Sequence, residues 1–240
     1  MYEERRYRQD LLKRDSSLIG FEVIYLESDL FILAETMLEK QAYDFLVKHY
    51  LTIKRYIQAD PEFDRTFSPY PVSESAPEII RQMSNASSLA GVGPMAAVAG
   101  AVAEAVGMEL LAYSQDIIIE NGGDIFLSTS VPRKIGILAG SSVFSERIAL
   151  LIEPGTWGVC TSSGTVGHSI SFGKADACVV VSESASLADA VATRIGNIIQ
   201  THSDIPEGLS CAQGIDGVLG TVIIKDDKLG VWGKIELVDG

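Results

Sequence analysis

The sequence is poor in positive charge. Its 240 residues include 19 Lys and Arg against 32 Asp and Glu, which gives a formal net charge of −13 at pH 7. Nucleic acid is therefore not expected as a partner, because its binding depends on a basic surface that displaces counterions. The same negative field repels a free phosphate ligand, so a phosphate-bearing partner would need a divalent cation to bridge it.

Cysteine is also scarce. The three cysteines, Cys160, Cys178 and Cys211, are odd in number and form no C-x-x-C pair. A disulfide framework and a zinc site are not expected, and a reducing compartment fits this usage. The first ten residues are charged and lack the apolar core of a secretion signal. We therefore expect a cytoplasmic protein.

Two further patterns are missing. Residues 84–103 carry no charge, but they are rich in Ser, Gly and Ala and contain Pro94, which favours a buried helix over a membrane span. No predicted strand is followed by G-x-G-x-x-G, so a Rossmann fold is not expected. The nearest match, Gly91-Val92-Gly93, follows a predicted helix.

Small residues dominate the stretch around which the chain is organised, residues 84–127. A helix is predicted over 94–112, and its glycines each cost about 1 kcal/mol relative to Ala, so it must be packed centrally. A β-branched strand follows and ends at Asn121-Gly122-Gly123-Asp124. Asn-Gly at this point predicts a hairpin with both of its residues at positive φ. A ligand-binding role for the Gly-Gly-Asp segment is compatible with that turn.

A second informative stretch begins at Thr161-Ser162-Ser163-Gly164. Backbone N–H groups in such a loop can form an anion-binding nest, and an ordinary polar loop is the alternative. A nucleophilic pair of Cys160 or Ser163 with His168 is disfavoured, because no G-x-S-x-G elbow and no third group accompany it.

Asp189 and Thr193 lie four residues apart in a predicted helix that begins near residue 186, so they share one face. A carboxylate and a hydroxyl are hard ligands suited to Mg²⁺ or Ca²⁺. A structural interpretation competes, in which Ser186 is the N-cap and Asp189 the N3 residue of a capping box. The spacing leaves both open.

The remaining periodicity predicts helices and a mixed or antiparallel sheet. His49 lies near the apolar stripe of its helix, where no carboxylate or second His accompanies it, and we interpret it as structural. A loop is predicted over 202–217. Helices are predicted over 36–59 and 77–89, and strands over 2–9, 19–34 with a turn at 27–29, 124–129, 133–139, 147–152, 156–160, 218–225 and 230–237.

Three motifs, in order, resemble those of the ApbE family of FAD:protein FMN transferases. They are the Asn121–Ile125 segment with its Gly-Gly-Asp, the turn Thr161–Gly164, and the helix segment Ala188–Thr193, which reads ADAVAT. The resemblance implies an α+β fold, related to the T-fold, with helices packed on mixed or antiparallel sheets. It implies one domain over 1–240, or two intertwined subdomains of about 1–130 and 131–240. An internal duplication would explain why residues 186–224 echo 94–128.

The resemblance also implies a flavin site with FAD or FMN and Mg²⁺. Asp189 and Thr193 would be the metal ligands. The nucleotide would lie near Gly122, Gly123, Asp124, Ser162, Ser163, Gly164 and His168. The chain departs from the family pattern at the His-x-x-Asp-Pro-x-Thr-Gly loop, of which only His168 remains, and at the Lys-Gly pair, which Gly91–Pro94 replaces.

Three functions stay open, and no catalytic residue is assigned. The chain could transfer FMN from FAD to a Thr or Ser of an acceptor protein, with Mg²⁺. It could bind a flavin or another nucleotide without turnover. It could also be a structural protein that kept the fold without the site. A homodimer would cover the small-residue helix and the sheet edges.

Overall fold

An eight-stranded antiparallel sheet forms the centre of the computed structural model, which describes residues 18–165 and 172–240. Its strand order is β1-β2-β3-β4-β7-β8-β9-β10. The strands are β1 (Ile19–Tyr25), β2 (Ser28–Ala34), β3 (Ile117–Asn121), β4 (Asp124–Thr129), β7 (Gly155–Ser162), β8 (Ala177–Ser182), β9 (Val218–Lys225) and β10 (Lys228–Gly233).

A small second sheet has the order β11-β6-β5 and is also antiparallel. Its strands are β5 (Arg133–Gly136), β6 (Ile148–Ile152) and β11 (Glu236–Asp239). The mixed or antiparallel sheet predicted from the sequence is therefore antiparallel in every pair that the described residues form. The predicted strand over 230–237 is wrong as one element, because its two halves belong to different sheets.

Six α-helices are described. They are α1 (Glu39–Ala59), α2 (Glu62–Arg65), α3 (Glu78–Ala90), α4 (Val98–Leu110), α5 (Ala185–Ile198) and α6 (Ile205–Gln213). Helix α6 and a 3₁₀ turn at His202–Asp204 lie in the segment for which the sequence predicts a loop. That prediction is wrong because Pro206 and Gly208 suggest a break, whereas Pro is tolerated in the first helical turn.

The core has two layers on opposite faces of the large sheet. On one face the helices pack against side chains such as Ile117, Ile119 and Phe126. On the other face lies a separate cluster that includes Phe31, Ile118 and Leu150, where the small sheet contributes. Alternate residues of β3 thus enter different clusters, as the two-residue period of a strand requires.

The small-residue helix is central, as predicted, but its first turn differs. Pro94–Ala97 forms a 3₁₀ turn, and the α-helix starts at Val98. Small residues are needed because α4 touches its neighbours closely. A Cβ at Gly107 would lie 2.2 Å from the Phe126 ring, and one at Gly100 would lie 2.2 Å from the Ala185 carbonyl oxygen.

No single helix in the described ranges is long and apolar enough to cross a membrane. Helix α3 and the segment Pro94–Leu110 meet the length and composition test only as a pair, and they are bent by 104° at their junction. The strand predicted over 2–9 lies outside the described residues, and the number of domains and the duplication stay predictions.

Candidate functional site

A tight hairpin joins β3 to β4 beside the start of α4. Asn121 and Asp124 face each other in the ladder, and Gly122 and Gly123 form the turn at φ 69° and 108°. The hairpin is confirmed, but its two positive-φ residues are Gly122 and Gly123, and the prediction that Asn121 is one of them is wrong. Because Asn121 stays in the strand, its side-chain amide donates to the Ala99 carbonyl oxygen at 3.0 Å.

Asp124 opens β4 and lies opposite Cys160 of β7. Its carboxyl group is buried, and burial raises its pKa to about 7. The Cys160 thiol and the Thr161 N–H act in the opposite direction, while the charge of Glu120 adds to the rise. This group therefore keeps its proton to a higher pH than an ordinary aspartate does.

Asp189 lies on α5 with its carboxylate at the N-terminus of α4. The Gly100 N–H donates to Oδ2 of Asp189 at 2.9 Å, and the Ala99 N–H also contacts this carboxylate. Burial and the nearby charge of Asp124 raise the pKa of Asp189 well above its usual range, and the two N–H groups only partly offset this. The structure therefore brings Asp124 and Asp189 together, although they lie far apart in the sequence.

The two helices exchange capping carboxylates. Asp189 of α5 binds the first turn of α4, and Glu104 of α4 accepts from the Ser186 N–H at 2.9 Å in the first turn of α5. The N-cap of α5 is Ser184, whose hydroxyl accepts from the Leu187 N–H. The predicted capping box of Ser186 with Asp189 is therefore wrong, because the true cap lies two residues earlier and Asp189 faces a different helix.

The loop Thr161–Gly164 lies farther along α5. The Gly164 N–H donates to the Ala175 carbonyl oxygen, and the Ser163 hydroxyl donates to the Asp176 carbonyl oxygen at 2.8 Å. Ser162 packs against Gly196, where a Cβ would lie 2.9 Å from the Ser162 hydroxyl. The loop is thus fastened to the two residues just before β8 and to the second half of α5, and the Gly164 N–H is already used inside the protein.

Thr193 lies one turn after Asp189 and is half-buried. Gly123 approaches the same loop from the other side, since a Cβ there would lie 3.8 Å from the Thr161 carbonyl oxygen. The hairpin, the loop and α5 therefore meet through Gly123, Thr161, Ser162 and Gly196, and the roles predicted for the site residues stay predictions. His168 lies outside the described residues.

The donor chemistry of this region fits Mg²⁺. Two buried carboxylates repel each other when both are charged, and a bound divalent cation would offset this repulsion. The Thr193 hydroxyl adds a third hard oxygen on the face of Asp189. Among the described residues no group of three His, Cys, Asp or Glu side chains could hold a metal. Water and ligand phosphates would therefore have to complete the coordination shell.

Several contacts that shape the site give no signal in the sequence. Glu104 has no local pattern, because its partner Ser186 is 82 residues away. In the same way the sequence shows no carboxylate beside His49, whereas Glu109 of α4 pairs with it. The expectation that no carboxylate accompanies His49 is therefore wrong, because the pair joins α1 to α4, and its structural role stays a prediction.

Comparisons with known proteins identify the family. A family model described as "AbpE bacteria" matches residues 9–224. The chain belongs to this AbpE family. A UPF0280 protein of Methanosarcina barkeri is 42% identical over 194 residues, which cover 79% of this chain and 76% of that protein. A UPF0280 protein of Methanocaldococcus jannaschii is 42% identical over 207 residues, covering 83% of this chain and 84% of the relative.

Solved structures show that this AbpE-family chain has the fold of the ApbE flavin transferases. The apo flavinyl transferase ApbE of Pseudomonas stutzeri superposes with a TM-score of 0.55 at 15% identity, covering 92% of this chain and 94% of that one. The flavin transferase ApbE of Vibrio cholerae gives 0.51 at 12% identity, covering 90% and 96%. The α+β fold and the resemblance to ApbE proteins are confirmed. At these identities the likeness establishes the fold alone.

Proposed function

We propose that this protein binds a flavin nucleotide together with Mg²⁺ in the region bordered by Asp124, Asp189 and Thr193. The observation that carries the proposal is the pair of buried, interacting carboxylates Asp124 and Asp189, of which Asp189 accepts from the Gly100 N–H in the first turn of α4. A protein gains little from burying two interacting carboxylates unless a cation or proton neutralises them. The likeness of the fold to flavin transferases makes a flavin the ligand that we favour.

The chain's own residues would each have a distinct part. Asp189 and Thr193 would hold the cation on one face of α5, and Asp124 would face it from the hairpin. Gly122 and Gly123 present a turn without side chains, so a ligand can approach the backbone there. The N-terminus of α4 carries the partial positive charge that favours anions nearby. Mg²⁺, when bound, would neutralise the phosphates and improve AMP as a leaving group.

A finer proposal is the transfer of FMN from FAD to a Thr or Ser hydroxyl of an acceptor protein. In that step the hydroxyl oxygen bonds to the FMN-side phosphorus and loses its proton, while the bond to AMP breaks. We also propose that the protein works in the cytoplasm and as a homodimer. The second candidate, a flavin-binding module without turnover, is favoured by one observation. Asp189 already has a structural role as the cap of α4.

The test is a titration of the purified protein with FAD, first with Mg²⁺ and then with EDTA, followed by chromatography for AMP. We expect binding that needs Mg²⁺. AMP that accumulates in the presence of a peptide acceptor or a cell extract would support transfer, and tight binding without AMP would support the module. No binding of FAD under either condition would rule out the flavin assignment.

Asp189→Asn with Glu104→Gln as its matched control separates a ligand role from a capping role. Each variant removes one capping carboxylate but keeps an oxygen that can accept the same N–H. We expect Asp189→Asn to weaken Mg²⁺-dependent FAD binding by about tenfold or more, as loss of a charged ligand implies. Glu104→Gln should bind FAD like the wild type. Equal effects of the two variants would show that Asp189 serves only the fold.

A further inference from the structure

Two large aromatic side chains form an exposed pair near the site. Phe67 is 69% exposed and Phe172 is 61% exposed, yet their ring centroids lie only 5.5 Å apart. The ring planes meet at 74°, so the pair forms an open corner. Such a corner can contact a planar ring twice, face to face on one side and edge to face on the other.

The pair lies at the far end of the face of α5 that carries Asp189. The Phe172 N–H donates to the Asn197 side-chain oxygen at 2.9 Å, and the Gln200 amide donates to the Phe172 carbonyl oxygen at 3.0 Å. Asp189, Thr193 and Asn197 follow one another at four-residue spacing and so share a face about 12 Å long. Exposure increases along it, from the buried Asp189 to the half-buried Thr193 and Asn197.

Close backbone contacts hold both rings in place. A Cβ at Gly93 would lie 2.0 Å from the Thr66 carbonyl oxygen and 3.0 Å from the Phe67 Cα. The backbone at Phe67 therefore packs directly against Gly93. A Cβ at Gly173 would lie 1.8 Å from the Gly196 carbonyl oxygen of α5. The segment that carries Phe67 therefore packs against the residue before the 3₁₀ turn that leads into α4, and the segment that carries Phe172 packs against α5.

We propose that Phe67 and Phe172 form the binding surface for a planar heteroaromatic ring of the flavin nucleotide. This inference rests on the proposed function, because the phosphates at Asp189 and Thr193 place the rest of the ligand along α5. The face of α5 from Asp189 to Asn197 is about 12 Å long, so a ligand bound at both of its ends would lie along it. Stacking on exposed aromatic rings would contribute affinity without any charge.

The test compares Phe67→Ala, Phe172→Ala and the double variant with the wild type. Affinities are measured for FAD, FMN and ADP, each with Mg²⁺, and flavin fluorescence is followed. We expect the double variant to bind FAD about tenfold more weakly or worse, the size that loss of one stacked ring implies. A loss confined to FMN would assign the isoalloxazine, and a loss confined to ADP would assign the adenine.

Three controls make the result decisive. Tyr113→Ala removes another exposed aromatic ring, three residues beyond the end of α4, and should leave FAD affinity unchanged. Phe172→Trp restores a ring and should restore binding. An unchanged melting temperature would show that the variants fold, as the exposure of both rings implies.

Wild-type affinity of the double variant for all three ligands would overturn this inference while leaving the flavin site standing. A change in oligomeric state of the double variant without a change in FAD affinity would also overturn it, because the pair would then be a protein interface. If the wild type binds none of the three ligands with Mg²⁺, the proposed function and this inference both fail.

Discussion

The carboxyl group of Asp124 couples the stability of the fold to pH. Its pKa rises from 3.8 to about 7 on folding. Between these two pH values the folded state therefore keeps a proton that the unfolded state has released. The contribution of Asp124 to stability therefore falls as pH increases from about 4 to about 7. Asp189, whose pKa is also raised, contributes in the same direction.

Asp124→Asn tests this linkage. The amide cannot ionise, so the variant does not lose this contribution to stability as pH rises. In EDTA, the melting temperature of the variant minus that of the wild type should therefore increase from pH 4 to pH 8. In the wild type, Mg²⁺ should raise the melting temperature more at pH 8 than at pH 5, because the cation binds the charged form. Scanning calorimetry of both proteins at several pH values measures the difference. Parallel curves across the whole range would contradict the assignment of Asp124 as a group with a raised pKa.

The sequence points to most residues of the candidate site but not to their contacts. The motif order indicates Asp124, Asp189 and the glycine pair, because each lies in a short local pattern. The partners of Asp189 could not be predicted, since the Gly100 N–H is 89 residues away and depends on how α4 and α5 cross. For the same reason the local pattern suggests Ser186 as the cap of α5 instead of Ser184.

Helices α4 and α5 pack closely against each other at Gly100, so a larger side chain at this position would push the two helices apart. A Cβ there would lie 2.2 Å from the Ala185 carbonyl oxygen and 2.8 Å from the Asp189 Cβ. We expect Gly100→Ala to destabilise the fold by about 1–3 kcal/mol, the usual effect of overpacking, despite the better helix propensity of Ala. It should also weaken Mg²⁺ binding, because Asp189 must move.

Gly214→Ala is the matched control for that substitution. Gly214 has φ −83°, which any residue adopts, and its new Cβ would be 3.6 Å from the nearest oxygen, an ordinary contact. The variant should be neutral or slightly more stable, by about 0.4–1 kcal/mol, through reduced freedom of the unfolded chain. Denaturant unfolding of both variants gives the comparison. A Gly100→Ala protein as stable as Gly214→Ala would show that the helices can separate without cost.

Most elements could be predicted because their patterns are local. The apolar alternation of β1, the continuous apolar run of β2 and the apolar stripe of α1 indicate their types and nearly their ends. Elements whose boundaries are not marked in the local sequence pattern are harder to predict. Residues 230–237 alternate continuously, and only the position of Gly233 at φ 91° and the pairing of β11 with β6 divide them between two sheets.

The charge of the whole molecule gives a prediction of its own. A net charge of −13 attracts cations, and salt screens this attraction, since the Debye length falls from about 10 Å at 0.1 M to about 3 Å at 1 M. The affinity for Mg²⁺, read from its effect on the melting temperature, should fall severalfold between these NaCl concentrations. An affinity that rises with salt would mean that the surface around the site is not acidic.

At the scale of the whole chain, the order of the strands is harder to predict from the sequence than the class of protein. The acidic balance argues against nucleic-acid binding, and the absence of G-x-G-x-x-G argues against a Rossmann fold. The strand order β4-β7 could not be predicted, because it requires β5 and β6 to leave the large sheet and form another with β11. Nothing in the local pattern of these short strands distinguishes the two sheets.

Helices α4 and α5 each cap the other with a carboxylate, and this affects which substitutions would follow if the site lost its ligand in evolution. A descendant that lost its ligand would still be selected to keep a side-chain oxygen acceptor at position 189, because the Gly100 N–H at the start of α4 donates to it. Position 193 is under no such constraint, since the Thr193 hydroxyl makes no hydrogen bond within the described part of the chain. Among related sequences, substitution at 193 with retention at 189 would therefore mark the lineages in which binding has been abandoned.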